Sequence, residues 1–537
     1  MTAIVPPLRL YYHADPLLRI AELRTAEIAA TETLPPHTLM KRAGTSISRW
    51  LLKKIDKANS SKLSKSEHRL VEKSSVVWFA IGPGNNGGDA LVAAAELYQL
   101  GIPVEAWIPI NIRHNDALWA LSLAKSASIP ISTEPPLSLE HYIWVVDGLF
   151  GIGLTEPLSD ILAEIATRIS TRTRNIGRVL SIDIPSGLNS DTGVIVGGKV
   201  AVKATNTLTF IASKPGLYMN DGRDLSGEIE VISLDVSIKN TISSIQLASP
   251  DLFSSALPER LFRSNKGTFG SLAIIGGDSG MYGAPILAAR AALLAGTGKV
   301  HIGFVGKDTP LYDPLFPELM LHSAQLLRLD AMTAIVVGPG LGKHEEIISI
   351  IRDVVATNAT VLFDADGLNI MVTHPDIASL VAQRIMSSTY VLTPHPLEAA
   401  RLLDSTTATI QHDRLAAAQK LSTHFKSIVV LKGIGTVIAS PDGRLTVNPT
   451  GNVVLATSGT GDTLSGLIGA FLAQSVSAYE AAIAAVYLHG LAADILVSNG
   501  IGPSGVTSNE VTTMVRNLLN KIIYFPSSRE IFSKSKP

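Results

Sequence analysis

The chain has 537 residues, 46% hydrophobic and 17% charged, with a net charge of −1. That is material for roughly two to four packed cores, without the bulk charge that would draw nucleic acid or an anionic membrane. It contains no cysteine, which excludes disulfides, thiolate metal sites and thiolate nucleophiles and leaves the chemistry to oxygen, nitrogen and bound ions.

Residues 1–12 carry Pro6, Pro7 and Arg9 and show no signal-like apolar core. The apolar stretches 285–296 and 464–472 are short and rich in Gly and Ala, and read as core helices, not membrane spans. The cytoplasm is the expected compartment. Between the first helical pattern and the first strong strand, the Lys- and Ser-rich segment 53–73 reads as a solvated extension more readily than as an anion-binding patch.

Short β-branched runs at 76–81, 144–146, 179–182, 272–275, 334–337, 361–363 and 428–431 each end in a loop rich in Gly, Asp or Pro. Many of those loops lead into a helical pattern. This alternation predicts parallel sheets covered by helices, with ligands at the strand ends. The run 232–236 predicts a last strand, followed by a polar segment 237–250 and a new Gly-rich unit from Gly267. The domain junction is expected near residue 240, giving domains 1–240 and 241–530.

After the run 76–81 comes Gly82-Pro83-Gly84-Asn85-Asn86-Gly87-Gly88-Asp89, with a helix expected from Leu91. Gly82, Gly84 and Gly87 have the G-x-G-x-x-G spacing in a strand-loop-helix setting, which suits a pyrophosphate. Glu105 stands near the place of a ribose-binding acid. A plain dinucleotide loop does not need two amides and a carboxylate together. Two later loops repeat the theme: Asp147-Gly148-Leu149-Phe150-Gly151 and Asp183-Ile184-Pro185-Ser186-Gly187. Asn86, Asp147, Asp183 and Ser186 are therefore expected to converge as an oxygen-rich set. Such a set suits a hard cation, with one carboxylate left for proton transfer. Each aspartate alone would read as a helix cap or turn former.

In the second half Gly276-Gly277-Asp278-Ser279-Gly280-Met281-Tyr282-Gly283-Ala284 ends one strand, and Gly338-Pro339-Gly340-Leu341-Gly342 ends another. Asp364 and Asp366 are candidates either for magnesium or for capping a strand end. His395, between two prolines, reads as a general base or as a hydrogen-bonded loop residue. Ser458-Gly459-Thr460-Gly461-Asp462 opens an apolar helix. Gly459 and Gly461 can present amides to an anion there, and Asp462 can take a proton from a hydroxyl facing a phosphoryl group. No Walker loop occurs; Lys432-Gly433-Ile434-Gly435-Thr436 follows a strand instead.

These motifs resemble the NAD(P)H-hydrate repair family. Leu39-Met40-Lys41-Arg42-Ala43-Gly44, the asparagine-glycine loop and the segment 207–214 resemble its epimerase domain, although Lys41 and Ala90 stand where Glu and Gly are usual. The second half resembles its ADP-dependent dehydratase domain, including Asn448-Pro449-Thr450-Gly451-Asn452, and departs from the usual pattern just after. The implied fold is α/β throughout, a Rossmann-like α/β/α sandwich followed by a ribokinase-like α/β domain. In the epimerase the resemblance implies a hydrated nucleotide held by Asn85, Asn86, Gly87, Gly88 and Asp89 and by Gly151, Ile152, Gly153, Leu154, Thr155, Glu156 and Pro157. Potassium would sit on Asn86, Asp147 and Ser186, with Asp183 binding substrate and acting as acid/base. In the dehydratase it implies substrate contacts from Ala284, Gly340, Gly342, His395 and Asp462, and adenine-nucleotide contacts from Lys432, Gly433, Ile434, Gly435, Thr436 and Gly461. Magnesium, ADP as co-substrate and a homo-oligomer are also implied. A competing reading is a small-alcohol kinase of the thiamine-precursor type fused to a nucleotide-binding module, since the Gly-Thr-Gly-Asp loop is shared. A catalytically silent scaffold in either half is another.

Overall fold

The computed structural model describes residues 14–60, 76–239, 241, 243–383 and 390–525. Residues 1–12, and 61–73 of the Lys- and Ser-rich stretch, lie outside the described residues; residues 53–60 of that stretch belong to the helix Thr38–Ser60. The described residues form two compact units, Pro16–Ser243, and residues 14–15 together with those from Ser244 onward.

The first unit is built on β1 (Val77–Ile81), β2 (Val104–Trp107), β3 (Ile131–Ser132), β4 (Trp144–Gly148), β5 (Val179–Ile182), β6 (Asn206–Phe210) and β7 (Glu228–Ile232). Their order is β3-β2-β1-β4-β5-β6-β7, and every neighbouring pair is parallel. Successive side chains on a strand point to opposite faces. Val77, Phe79 and Ile81 accordingly join one core, with residues of the helices Thr38–Ser60 and Asn85–Gln99. Trp78 and Ala80 join another core, with residues of the helix Asp160–Asn175. Both faces being covered, the strands read as continuous apolar runs.

Two expectations are corrected here. The helix after β1 starts at Asn85, not Leu91; the asparagines and glycines form its first turns. The strand expected at 232–236 is instead β7, ending at Ile232. Leu234 and Asp235 have φ of 52° and 55°, which ends extended structure. Leu234 and Val236 are nevertheless buried, so the alternation with Ile232 came from core packing around a turn.

The second unit carries β8 (Ile245–Leu247), β9 (Ser271–Gly276), β10 (Lys299–Phe304), β11 (Met320–Ser323), β12 (Ala334–Val337), β13 (Thr360–Phe363), β14 (Val391–Leu392), β15 (Ile428–Leu431), β16 (Val437–Ala439) and β17 (Leu445–Val447). The order is β11-β10-β9-β12-β13-β14-β15-β16-β17-β8. It is parallel as far as β15, antiparallel through β16 and β17, and parallel again at β8. β8 lies within the segment 237–250 that reads as merely polar, with Ile245 and Leu247 turned inward and Gln246 exposed. The apolar stretches near 285–296 and 464–472 lie largely in the helices Gly283–Leu294 and Thr460–Ala473. The helix Ala478–Ser498 is apolar and long enough to cross a membrane, and 83% of its apolar window is buried inside the protein.

In each unit the chain turns from one edge of the sheet toward the other beside its first long central strand, between β1 and β4 and between β9 and β12. Crevices outside such positions are where open α/β sheets bind ligands. A glycine closes each central strand there. A Cβ on Gly82 would lie 1.5 Å from the Leu149 carbonyl oxygen, and one on Gly276 would lie 2.0 Å from that of Pro339. Gly82→Ala and Gly276→Ala must each push two backbones apart. Each should cost about 1–3 kcal/mol, read as a fall in the urea midpoint of the unit concerned.

Candidate active sites

In the first unit the ends of β1, β4, β5 and β6 converge. A Cβ built on Gly151 would lie 3.3 Å from Asp183 Oδ2 and 3.4 Å from Asn86 Oδ1, so these three residues share one spot. Asp147 is fully buried, and its carboxylate accepts from Ser181 Oγ (2.8 Å), Ser186 N (2.9 Å) and Ser186 Oγ (2.6 Å). Burial pushes Asp147 above the usual carboxylate range, and the bonds from Ser186, Ser181 and Leu149 oppose that push. Ser186 Oγ in turn accepts from Phe150 N at 2.9 Å, tying β5 to the loop after β4.

Asp183 sits at φ +67°, a conformation aspartate and asparagine tolerate better than most residues. Its Oδ1 contacts Lys214 Nζ and accepts from Thr209 Oγ1 (3.4 Å) and Phe210 N (3.3 Å). Asp89 lies one turn after Asn86 on the same helix face. Burial, then the charge of Asp183, then that of Glu27, pushes the Asp89 carboxyl well up. Glu27, on the helix Ile20–Thr31, is raised by burial and by Asp183.

Asn86 is 9% exposed and its Nδ2 has no hydrogen-bond partner. An unmet buried amide at this spot is what a site completed by a ligand presents. An amide, a hydroxyl and a carboxylate around the loop after β4 also fit a hard cation with oxygen donors. The remainder of the expected substrate segment leads outward. Gly153, Thr155, Glu156 and Pro157 are exposed, Ile152 and Leu154 are partly buried, and Pro157 lies against Gly197. Asn85 is exposed too. Glu105 is held within β2 by the Tyr142 hydroxyl at 2.6 Å, away from the strand ends.

In the second unit the ends of β9, β12, β13, β14 and β15 converge around the start of the helix Thr460–Ala473. Lys432 Nζ donates to Asp364 Oδ1 at 2.7 Å and lies 4.0 Å from Glu398 Oε2; Ser465 Oγ donates to Asp364 Oδ2 at 2.6 Å. Asp364 is 2% exposed. Burial alone would raise it, but the Lys432 ammonium and the Ser465 and Thr393 hydroxyls hold it below the usual range. Gly461 is next to this ammonium, 4.0 Å from Nζ to a built Cβ. Asp462, in the first helical turn, is raised to about 6 by burial and by Asp364, against Lys432.

His395 Nδ1 accepts from the backbone N–H groups of Leu397 (3.1 Å) and Glu398 (3.2 Å), capping the helix Pro396–Leu402. Burial and Lys432 lower its pKa, so the neutral ring carries its proton on Nε2, 3.3 Å from Glu398 Oε1. Both ring nitrogens are thereby engaged, which suits a positioning or binding role and not a free base. Burial raises Glu398 to about 7.

Asp366 Oδ2 accepts from Gly342 N at 3.0 Å and its Oδ1 from Asn369 Nδ2 at 3.4 Å, so it clamps the loop after β12. Gly340 in that loop abuts Met281 O and Ala284 Cβ, and Gly342 abuts Asp278. Arg414, 1% exposed, donates to the carbonyls of Leu431 (3.0 Å) and Lys432 (3.2 Å) and shapes the turn toward Gly433. Ile434 is exposed, and Thr436 Oγ1 closes the turn on Gly433 O at 3.0 Å. Sequence reasoning gave no role to Glu27, Lys214, Glu398 or Arg414. Lys214 closes the segment 207–214, and Glu398 stands three residues after His395, the spacing of a capping box; Glu27 and Arg414 carry no local signal.

Residues 36–216 match the family described as YjeF-related protein N-terminus, and residues 272–516 match NAD(P)H-hydrate dehydratase. A bifunctional NAD(P)H-hydrate repair enzyme Nnr of Coxiella burnetii is 34% identical over 512 residues, 93% of this chain and 98% of that protein. The Escherichia coli enzyme of the same description is 33% identical, over 82% of this chain and 85% of its own. The ADP-dependent (S)-NAD(P)H-hydrate dehydratase of Neisseria meningitidis is 44% identical over 48% of this chain and 88% of its own. The solved ADP/ATP-dependent NAD(P)H-hydrate dehydratase of Bacillus subtilis, co-crystallised with ATP and Mg2+, is 30% identical over 50% of this chain and 95% of its own, with a TM-score of 0.43. With one relative similar over almost its whole length and each unit matched by its own family, this chain belongs to the bifunctional NAD(P)H-hydrate repair enzymes.

Proposed function

We propose that this chain restores hydrated NADH and NADPH in two steps, its first unit interconverting the R and S hydrates and its second dehydrating the S hydrate with ADP. The observation that carries the reading is a pair of part-buried carboxylates at the strand-end crevices: Asp183, whose Oδ2 lies with Asn86 Oδ1 at the spot a Gly151 Cβ would take, and Asp462, in the first turn of the helix Thr460–Ala473 and within the field of Lys432.

The hydrated carbon bears a hydroxyl and a ring nitrogen. Asp183 takes the hydroxyl proton as the ring carbon–nitrogen bond opens, and gives it to the departing nitrogen. Closure onto the other face reverses both transfers. The helix start at Asn85–Gln99 favours the nucleotide's negative charge, and Asn86, Gly87, Gly88, Asp89 and the segment from Gly151 to Pro157 border the substrate. Asn86, Asp147 and Ser186 would hold potassium, which supplies positive charge beside the loop after β4 when bound.

In the second unit Asp462 removes the proton of the S-hydrate hydroxyl, which attacks the terminal phosphoryl group of ADP and releases AMP. Phosphate then leaves the same carbon and a neighbouring proton is lost, restoring the ring double bond. Lys432 and the amides at Gly461 meet the charge on the phosphates. The turn Lys432 to Thr436 carries the nucleotide, and Ala284, Gly340, Gly342 and His395 border the substrate. Asp364 and Asp366 are engaged by Lys432, Ser465, Gly342 and Asn369, so magnesium is read as arriving on the diphosphate. A homo-oligomer in the cytoplasm completes the proposal.

The direct test is a mixed R/S hydrate of NADH with ADP, magnesium and potassium, followed by recovery of the reduced-nicotinamide absorbance. Both isomers should be consumed; repair of the S fraction alone sinks the epimerase reading. Asp462→Asn should abolish recovery, while Asp183→Asn should remove only the accelerated use of the R hydrate.

The pH dependence of dehydration has a fixed sign. The base must be ionised and is raised to about 6, so the rate should fall as pH drops through about 6 and level off above. Asp364→Asn, which removes a raising charge, should move that limb to lower pH. A limb unmoved in Asp364→Asn rules out Asp462 as its origin. Lys432→Met leaves Asp364 buried and unpaired, and should destabilise the second unit by about 3–5 kcal/mol in urea unfolding.

A further inference from the structure

Lys214 lies after β6, 1% exposed, and has three N–H donors. Each is matched by one acceptor: Asp183 Oδ1, Thr209 Oγ1 at 2.7 Å and the Phe210 carbonyl at 3.0 Å. The pocket that receives the ammonium is held by tertiary structure. Ile211, a β-branched residue, adopts φ +66° between two of those acceptors and Lys214. The next residues are fixed by a parallel bridge from Ser213 to Leu17 and by the Ser213–Tyr218 hydroxyl pair at 2.9 Å. A left-handed isoleucine persists only where the surroundings over-determine it.

The two oxygens of Asp183 are consequently unequal. Oδ1 faces Lys214, Thr209 Oγ1 and Phe210 N. Oδ2 lies on the Gly151 side, 3.3 Å from where a Cβ on Gly151 would stand, and Asn86 Oδ1 is 3.4 Å from that same point. Two more carboxylates, Asp89 and Glu27, feel the charge of Asp183, while Lys214 is the cation in contact with it. Without that contact only the long bonds from Thr209 Oγ1 (3.4 Å) and Phe210 N (3.3 Å) would resist rotation of the carboxylate, and orientations with no oxygen directed at the crevice would gain population.

We infer that Lys214 is a positioning residue for epimerisation, which occupies Asp183 Oδ1 and leaves Oδ2 as the single oxygen that receives and returns the substrate proton. The inference rests on the assignment of Asp183 as the acid/base. Lys214 touches neither substrate nor the reacting atoms. It acts through Asp183, and its loss should appear in turnover and not in affinity.

The test uses the full-length protein and the R hydrate of NADH, with kcat and KM measured for Lys214→Met, Asp183→Asn and the double variant. Lys214→Met should lose about 100-fold or more in kcat, the scale of positioned proton transfer, with KM within about threefold. The double variant should turn over no more slowly than Asp183→Asn alone, because two residues acting as one unit are not additive. ADP-dependent use of the S hydrate should be unchanged in all three. If Lys214→Met does not yield folded protein, Lys214→Gln, which keeps two donors without the charge, is measured in its place. A kcat within about threefold of wild type, a loss confined to KM, or losses that multiply in the double variant overturns the role of Lys214. Wild-type kcat in Asp183→Asn overturns the assignment of Asp183 itself, and that result is distinct because it needs no Lys214 variant.

Discussion

Everything at the two sites depends on backbones that approach more closely than any side chain permits. Where β1 ends, Gly82 rests against the carbonyl of Leu149, and its N–H bonds to Gly148 O at 3.0 Å. Where β9 ends, Gly276 rests against Pro339, while Gly277 and Asp278 donate to the carbonyls of Pro339 and Gly340 at 3.0 and 2.7 Å. The two units thus arrive at one solution. A glycine seals the strand end at the point where strand order reverses, and the sealed ends carry the loops proposed to bind. The crevice is defined by main chain, which has few ways to relax.

On that frame each unit sets a buried lysine against a strand-end aspartate: Lys214 against Asp183, Lys432 against Asp364. The pairs differ in use. Asp364 spends both oxygens, on Lys432 and on Ser465, so it steadies the ammonium and leaves Asp462 as the proposed base. Asp183 spends one oxygen and keeps the other turned to the crevice. Buried ion pairs of this kind contribute little net stability; their value here is that they orient a charge.

The fold was legible where physics acts locally. Runs buried on both faces announced the strands, and loops needing glycine announced the points where strand order reverses, because only a missing Cβ permits the approach. Asp147 and Ser186 were legible for a similar reason, since oxygen-bearing residues recurred after successive strands. Legibility failed where a residue's role is set by something distant in the chain. Leu234 and Val236 alternate like a strand but are buried under a turn. Ile245–Leu247 is too short to stand out, and becomes a strand only because Leu445–Val447 lies beside it. Arg414 draws its role from the carbonyls of Leu431 and Lys432, and Glu398 from a capping box shared with His395. The substrate came from family resemblance, because α/β crevices with glycine loops serve many nucleotides.

The left-handed backbone at Asp183 has a bearing on how this site can change over time. That conformation is cheap for aspartate and asparagine and costly for bulkier residues. The position therefore answers to geometry and chemistry at once, and few sequence neighbours satisfy both. With Asp183 as the proposed acid/base, a drifting lineage that loses the carboxylate here is funnelled toward asparagine, which preserves the shape of the crevice and removes the proposed proton transfer. A chain altered in that way would retain an intact nucleotide-binding fold, open to recruitment for binding without turnover.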